Sequence, residues 1–300
     1  MRTHGALTRP RSGRDSCPGV GSRRLDPTYG TPAVVWHDSD WRRVTPRKYI
    51  PPMPATRLLA EQLFHDRQAA ARAAARPELR FPDAAFLDHE TWVRPAFARL
   101  GDLRGKRALD YGCGHGMAAV VLARAGADVT AFDLSPGYVA EARERLRANG
   151  VAGTVVAADG ENLPFPDRSF DAVWGNAILH HLDLAKVGRE LARVMRPGGV
   201  AVFCEPWGGN PLLGAARRRL PYPGKDRTPD EVPLSARDLH PLRASFPVVE
   251  WDGFQLLGMV RRVWRGRGLR MFDAADRWLL RVRPELKNWC RYVVVTLTAG

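Results

Sequence analysis

The stretch 109-LDYGCGHG-116 places glycines at 112, 114 and 116, directly behind a short apolar run that contains Asp110. Glycine loses more backbone freedom on folding than any other residue, so three glycines this close together weaken a strand or a helix. The spacing therefore indicates a backbone that turns tightly or comes close to another group. A tight turn that holds no ligand is the alternative, and the surrounding sequence has to decide between the two.

Segments of strand-like and helix-like sequence alternate around this loop. The strand-like segments are short and apolar, at 107–111, 128–135, 153–159, 170–176 and 200–206. Between them lie stretches with the composition and stop signals of helices, such as Pro136 near the start and Gly150 just past the end of one of them. Parallel strands need such crossover connections, which cover both faces of the sheet. The pattern predicts an α/β protein with a doubly wound, mostly parallel, Rossmann-like sheet.

Four segments are expected along the chain. Residues 1–54 are rich in Arg, Gly, Pro, Ser and Asp without sustained periodicity, which predicts a disordered tail; Met53 is an alternative start. Residues 55–103 form an N-terminal helical segment, with helices over 56–76 and 83–100. The alternating core covers 104–206, and 207–300 supply a cap loop, an insertion and closing strands.

Charge and cysteine content narrow the class of protein. The net charge is +14, but residues 51–206 hold 19 basic and 19 acidic side chains, so the excess lies outside the core and argues against a nucleic-acid target. The four cysteines lack the spacing of a zinc site or a disulfide framework, so no metal is predicted and a reducing cytoplasm is expected. No apolar run of about eighteen residues is long enough to span a bilayer.

Polar groups follow the next two strands of the predicted sheet. Ligands of open parallel sheets bind outside the carboxyl ends of the strands. Asp133 ends the second strand, where a carboxylate can accept hydrogen bonds from both hydroxyls of a ribose. Asp159 and the backbone of Gly160 and Glu161 follow the third strand, where an adenine edge could bind. Each of these residues taken singly could be a turn or cap residue.

Four successive motifs together resemble the class I S-adenosylmethionine-dependent methyltransferases, in particular the small-molecule branch that includes the quinone-biosynthesis enzymes. They are LDYGCGHG, VTAFDLS, VVAADGENLPFPDRSFDAVWGNAILHHL and RVMRPGGVAVFCEP, and the resemblance covers about residues 104–206. It implies a sheet of about seven strands and S-adenosylmethionine as the cofactor. The spacing GxGxG, with Met117 where a dinucleotide fingerprint requires glycine, argues against NAD.

The resemblance also implies roles for individual residues of the cofactor site. The glycine loop would approach the methionyl part, and Asp110 would hold the amino group directly or through water. Asp133, followed by Leu134, would bind the ribose, and Asp159 the adenine amino group. The full set of cofactor-binding candidates is Asp110, Gly112, Gly114, Gly116, Asp133, Leu134, Asp159, Gly160, Glu161 and Asn176.

Few side chains are needed for methyl transfer itself, which requires a positioned acceptor and removal of its proton. His181 is the candidate general base, because an imidazole titrates near neutral pH. The alternative is that the imidazoles at 180 and 181 fix the loop. Glu205 would orient a substrate hydroxyl or amine, or else cap the following turn. His65 and Asp66 would line the pocket, or else lie on a solvated helix face.

The C-terminal part indicates the acceptor only by class. The loop 210–234 is long for a connector, as lids and binding segments are. Arg217 to Arg219 would bind an acidic head group or form a solvated stripe. The insertion 256–284 mixes Arg with apolar residues, which is typical of a substrate cap or of a helix in peripheral contact with a membrane. We expect methyl transfer to an O, N or C atom of a small molecule, lipophilic or a secondary metabolite. The alternatives are an RNA or protein methyltransferase, although GNAI stands at 175–178 where base-amine enzymes carry an NPPY-type motif, and a non-catalytic SAM-binding module.

Overall fold

The computed structural model describes residues 54–219, 232–262, 264 and 268–300. All of them belong to one compact unit, Pro52–Gly300. The predicted disordered tail therefore lies, except for Pro54, outside the described residues, and so does the cap loop from residue 220 to 231.

Seven strands form one sheet in the order β3-β2-β1-β4-β5-β7-β6. Strands β1 to β5 run parallel, while β7 is antiparallel to both β5 and β6. The predicted doubly wound, mostly parallel sheet is thus confirmed. The strands are β1 (Arg107–Tyr111), β2 (Asp128–Asp133), β3 (Thr154–Ala157), β4 (Phe170–Asn176), β5 (Met195–Pro206), β6 (Val248–Phe254) and β7 (Tyr292–Thr298).

Helices cover the sheet, and short 3-10 turns lie among the connections. The helices are α1 (Pro54–Ala74), α2 (Asp83–Leu87), α3 (Val93–Phe97), α4 (Met117–Arg124), α5 (Pro136–Ala148), α6 (Leu184–Val194), α7 (Pro211–Arg219) and α8 (Leu269–Val282). The 3-10 turns are Ala98–Leu100, Leu179–His181, His240–Ala244, Gly258–Arg262 and Pro284–Trp289.

Each face of the sheet has its own buried cluster, as the absence of polar alternation in the central strands predicts. On β1, Leu109 and Tyr111 belong to the cluster that also holds residues of α6, while Ala108 faces the cluster that holds α4 and α5. Side chains alternate along a strand, so Asp110 shares the face of Ala108 and lies beneath the start of α4. An acidic side chain is thereby fixed in an apolar layer.

Two predicted elements differ from the structure. The expected helix over 83–100 is interrupted between α2 and α3, since Pro95 has no N–H to donate to Thr91 and its ring crowds that carbonyl. The expected irregular loop from residue 210 begins instead with α7, where Asn210 accepts the backbone N–H of Leu213 (3.0 Å) and so stabilises the first turn.

The reversed strand β7 sets where the C-terminal insertion joins the sheet. Phe254, the last residue of β6, pairs with Tyr292, the first of β7, and Tyr292 pairs with Pro206 at the end of β5. The chain from 255 to 291 therefore leaves and re-enters at the edge where the parallel strands end. No helix in the part of the chain that the structure describes has both the length and the apolar character to cross a membrane.

Candidate active site

The glycine loop between β1 and α4 is held in a conformation that requires glycine. Gly112, Gly114 and Gly116 all have positive φ, at 68°, 48° and 80°. A Cβ on Gly112 would lie 2.8 Å from Ile178, and one on Gly116 would lie 2.7 Å from the Cβ of Ala142. A Cβ on Gly114 would meet nothing within 4 Å. Two glycines are thus needed for packing, and Gly114 borders open space.

Asp110 is a buried carboxyl with unused hydrogen-bonding capacity. Its side chain is 2% exposed, and Oδ2 has no hydrogen-bond partner among the described residues. Burial raises the pKa of Asp110 to about 7, and the charge of Asp133 adds to the rise while the N–H of Ala119 opposes it. An orphaned acceptor is costly in an apolar layer, so this oxygen fits a site that a cationic group completes.

Asp133 connects the glycine loop to the end of β2. One carboxylate oxygen accepts the N–H of Gly114 (2.8 Å) and the other accepts the N–H of Ser135 (2.9 Å). Burial raises the pKa of this carboxyl, which the two N–H groups partly counter. Each oxygen has a second lone pair, so the predicted bonds to ribose hydroxyls are compatible with these contacts. Leu134, directly after it, is half-buried.

The third group of predicted residues also lies at this edge. Asp159 is half-buried and accepts the N–H of Glu161 (2.8 Å), while the carbonyl of Gly160 accepts the hydroxyl of Tyr111 (2.7 Å). The side chain of Glu161 accepts from Lys186 (2.7 Å) and from the N–H of Asp183 (2.8 Å). The side chain is therefore occupied with structural contacts, and adenine binding by the backbone of Glu161 stays a prediction.

Helix α1 docks on this edge through its polar face. Its apolar stripe is largely exposed, with Leu59 at 41% and Leu63 at 49%. Asp66 instead accepts the hydroxyl of Ser135 (2.5 Å) and, less tightly, the N–H of Gly137 (3.3 Å). The interpretation of Asp66 as part of a solvated helix face is therefore wrong.

Further polar contacts fix both ends of α1. Near its start, Arg57 donates to Glu161 (2.7 Å) and to the carbonyl of His181 (2.9 Å). Near its end, Arg72 forms an ion pair with Glu141 on α5 (2.8 Å). The helix is thus attached to the adenine-side loop, to the histidine turn and to α5 together.

Glu205 holds the turn that follows β4. It is fully buried; Oε1 accepts the N–H groups of Ile178 (2.9 Å) and Leu179 (2.8 Å), and Oε2 lies 2.7 Å from Nδ1 of His180. Ala177, just before this turn, has a positive φ of 55°, which is strained for a residue with a Cβ. These contacts are those of a positioning residue for the turn after β4, whereas the sequence had offered only a cap of the turn that follows Glu205 itself. A direct catalytic role of Glu205 stays a prediction.

The turn places His181 in a polar cluster with α1. Nδ1 of His181 is buried and lies 3.6 Å from Oε2 of Glu61, and Nε2 of His65 lies 3.6 Å from the same oxygen. The rings of His65 and His181 are 5.8 Å apart. Burial lowers the pKa of His65, but the hydrogen bond with Glu61 and the charge of Asp133 outweigh it, so the net shift is upward.

Most predicted residues therefore lie along one edge of the sheet. The glycine loop contacts the histidine turn, because the backbone of Gly112 approaches Ile178. Asn176 is exposed at the end of β4, the edge where a cofactor is expected. Sequence reasoning missed Glu61, whose only signal was its position one helical turn before His65.

A comparison with known protein families identifies the kind of domain that these residues resemble. Residues 109–203 match a family described as a methyltransferase domain. This stretch of the chain is thus similar to a methyltransferase domain, in agreement with the resemblance that its motifs carry.

Curated relatives agree with this assignment. Over 128 residues the chain is 38% identical to Methyltransferase GfsG of Streptomyces halstedii, covering 40% of this chain and 46% of that protein. It is 37% identical over 123 residues to demethylmenaquinone methyltransferase of Tropheryma whipplei, covering 40% and 50%. It is 44% identical over 99 residues to 27-O-demethylrifamycin SV methyltransferase of Amycolatopsis mediterranei, covering 32% and 36%. The matches span about half or less of these relatives.

Solved structures extend the likeness of the fold over most of the chain. The [4+2]-cyclase SpnF superposes with a TM-score of 0.52 at 22% identity, over 85% of this chain and 99% of that one. A chain from the complex of the Haloferax volcanii Trm112 methyltransferase activator with its methyltransferase partner gives 0.53 at 19% identity, over 79% and 97%. These structures confirm the fold, including the parts outside the family match.

Proposed function

We propose that the protein is an S-adenosylmethionine-dependent methyltransferase that acts on an O, N or C atom of a small, lipophilic or secondary-metabolite acceptor. The observation that carries the proposal is the orphaned buried carboxylate oxygen of Asp110, which lies just before a glycine loop that leaves open space at Gly114 in a stretch that matches a methyltransferase domain. The named relatives act on quinone and rifamycin-type small molecules. Their chemistry supports the acceptor class.

The residues present fit the cofactor part by part. Asp110 offers a carboxylate to the cofactor's ammonium group, and Gly114 lets the backbone approach without a side chain in between. Asp133 keeps lone pairs for two ribose hydroxyls. Asp159 and the Gly160 backbone lie after the next strand for the adenine. S-adenosylmethionine supplies a methyl group on positively charged sulfur, which makes that carbon the electrophile.

His181 has the surroundings of a general base for the acceptor. With the proton on Nδ1, toward Glu61, Nε2 would be the nitrogen that takes the acceptor's proton as the acceptor is methylated. Glu61 would then stabilise the imidazolium that forms, and Glu205 would keep the turn in place. His181 is 12% exposed, so a proton transferred within this cluster is shielded from bulk water.

Cofactor binding is tested by thermal denaturation of the full chain. S-adenosylmethionine and its demethylated product should raise the melting temperature and NAD should not, since a ligand at about 100 times its Kd adds about 2.7 kcal/mol. Asp133→Ala should remove most of that shift. An unchanged shift in this variant would refute the ribose assignment.

Catalysis is tested by incubating the enzyme and labelled cofactor with metabolite extracts and reading the products by mass. A product heavier by one methyl group supports the proposal. A product of unchanged mass would indicate another use of the same fold, for which the similarity to a cyclase is a precedent. Labelled RNA or protein as the dominant product would overturn the acceptor class.

The catalytic cluster is tested with His181→Ala and Glu61→Gln. We expect turnover to fall about 10²-fold or more for His181→Ala with cofactor affinity retained. Glu61→Gln should lower kcat and shift its pH profile, because the neutral amide no longer stabilises the imidazolium. His240→Ala and Glu144→Gln, both at exposed positions, are the controls. A normal rate for His181→Ala would exclude it as the base.

Location in the reducing cytoplasm stays a prediction. The described cysteines, Cys113, Cys204 and Cys290, are buried free thiols, and burial raises the pKa of each of them. Such thiols react slowly, so the fold does not depend on whether its surroundings are reducing or oxidising.

A further inference from the structure

Helix α8 presents an outer face that the rest of the described chain leaves uncovered. Met271 is 75% exposed, Trp278 is 62% and Val282 is 50%. These residues lie seven and four positions apart, so they form one stripe along the helix. Large apolar side chains this exposed, aligned along a single helix, indicate a surface that meets an apolar phase or partner.

The charged residues of α8 occupy two adjoining parts of its surface. Asp276 is buried and accepts the N–H groups of Leu257 (2.7 Å) and Gly258 (3.0 Å), and Asp273 pairs with Arg261. The acidic residues thus attach the helix to the preceding 3-10 turn.

The arginines of the helix lie between these aspartates and the apolar stripe. Arg270, Arg277 and Arg281 are exposed, and none of them forms an ion pair with another described residue. They stand at the same spacing as the apolar stripe and beside it, so the outer face is apolar and cationic. Asp273, three and four positions from Arg270 and Arg277, is paired with Arg261 instead. Such a face is complementary to an anionic surface.

We propose that the outer face of α8, formed by Met271, Trp278, Val282, Arg270, Arg277 and Arg281, docks on a bilayer that contains anionic lipids. The apolar stripe would enter the headgroup and acyl boundary with Trp278 at the interface, and the arginines would pair with lipid phosphates. The proposal goes beyond methyl transfer, and the binding does not depend on it.

Other occupants fit these features less well. Residues 1–50 carry an excess of six positive charges, so this tail is repelled by the arginines. A second copy related by two-fold symmetry would bring the same three arginines face to face. The helix has 14 residues and is about 21 Å long. Its outer face is therefore smaller than the area of about 800 Å² that each partner buries in a typical protein–protein interface. A bilayer requires neither a large area nor a matching shape.

The position of α8 indicates what a membrane contact would do for the enzyme. The insertion leaves and re-enters the sheet at the edge where the parallel strands end, which is also the edge of the candidate active site. Docking through α8 would hold that edge near the membrane surface. A lipophilic acceptor dissolved in the bilayer could then reach the site without crossing bulk water.

The test is sedimentation of the full chain with vesicles of phosphatidylcholine alone or mixed with phosphatidylglycerol. We expect binding to the mixed vesicles that weakens as salt is added. Changing Arg270, Arg277 and Arg281 to Gln together should weaken it about 10²-fold, since each arginine near such a surface contributes about fivefold. Trp278→Ser should weaken it too, through the apolar stripe.

A matched triple variant controls for net charge, with Arg147→Gln, Arg189→Gln and Arg237→Gln at exposed positions elsewhere. Val248→Ser, at the opposite edge of the sheet, controls for loss of an exposed apolar side chain. Cofactor-induced thermal shifts show that each variant is folded. Equal loss in the two triple variants, no binding to mixed vesicles, or a dimer that dissociates in Trp278→Ser would each overturn the proposal. Failure of methyl transfer would not.

Discussion

At the scale of single residues, we infer that Asp110 links folding to cofactor binding through its protonation. Its folded-state pKa of about 7 lies above the unfolded value of about 3.9. The neutral form therefore stabilises the empty protein fully below about pH 4, and this contribution is lost as the pH rises through about 7. It amounts to about 4 kcal/mol at most, by the size of the shift. Cofactor binding needs the opposite form, because a carboxylate attracts an ammonium group.

We predict that Asp110→Asn flattens both pH dependences. In the wild type, the free energy of unfolding without cofactor should contain a term that falls from about pH 4 to about pH 7, while cofactor affinity rises through about pH 7. Denaturant titrations and calorimetry at each pH measure the two curves. Asp102→Asn, an exposed aspartate, is the control and should follow the wild type. Identical curves for wild type and Asp110→Asn would show that Asp110 does not titrate in this window.

Matched substitutions at Gly114 and Gly105 distinguish the effect of backbone strain from the effect of a lost ligand contact. Both have positive φ, and a Cβ on either would meet nothing within 4 Å. Gly114→Val and Gly105→Val should each lose about 1–2 kcal/mol of stability, since a side chain disfavours the left-handed region. Only Gly114→Val should lose cofactor binding in calorimetric titration. Full affinity in that variant would refute the glycine-loop assignment.

At the scale of elements, α1 completes the site from a position that its sequence pattern does not reveal. The leucine stripe predicted the helix itself but not the face that docks, because the docking contacts are polar. Glu61 escaped notice because its partner His181 lies 120 positions away. Strands β1 and β4, by contrast, begin and end at the predicted residues, since each is a short apolar run bounded by polar or turn-forming residues. Local signals locate buried elements, and long-range polar contacts require the structure.

Asp66 tests how α1 is attached. In Asp66→Ala, the hydroxyl of Ser135 and the N–H of Gly137 lose their acceptor, so α1 should become less protected while the core strands stay unchanged. We expect a loss of about 1–2 kcal/mol and faster hydrogen exchange over 57–72. Arg67→Ala, on the same helix but exposed, should exchange like the wild type. Unchanged exchange in Asp66→Ala would mean that the other contacts suffice to hold α1.

At the scale of the whole molecule, residues 52–300 form a compact unit by themselves. We predict that removal of residues 1–52 leaves the melting temperature and the cofactor Kd unchanged. Thermal denaturation with and without S-adenosylmethionine compares the two forms directly. A large loss of either would show that the N-terminal segment contributes to the fold or to the site.

Because the last strand is reversed, the segment between β6 and β7 can change in evolution independently of the parallel strands. Because Phe254 and Tyr292 are paired neighbours, everything between them begins and ends at nearly one point of the sheet. Such a segment can lengthen, shorten or be exchanged without moving the strands that carry the glycine loop and Asp133. If this segment contacts the acceptor, as we propose, it can be exchanged while the proposed cofactor site is retained. Grafting residues 255–291 from a relative should therefore change which molecules are methylated and leave donor affinity in place.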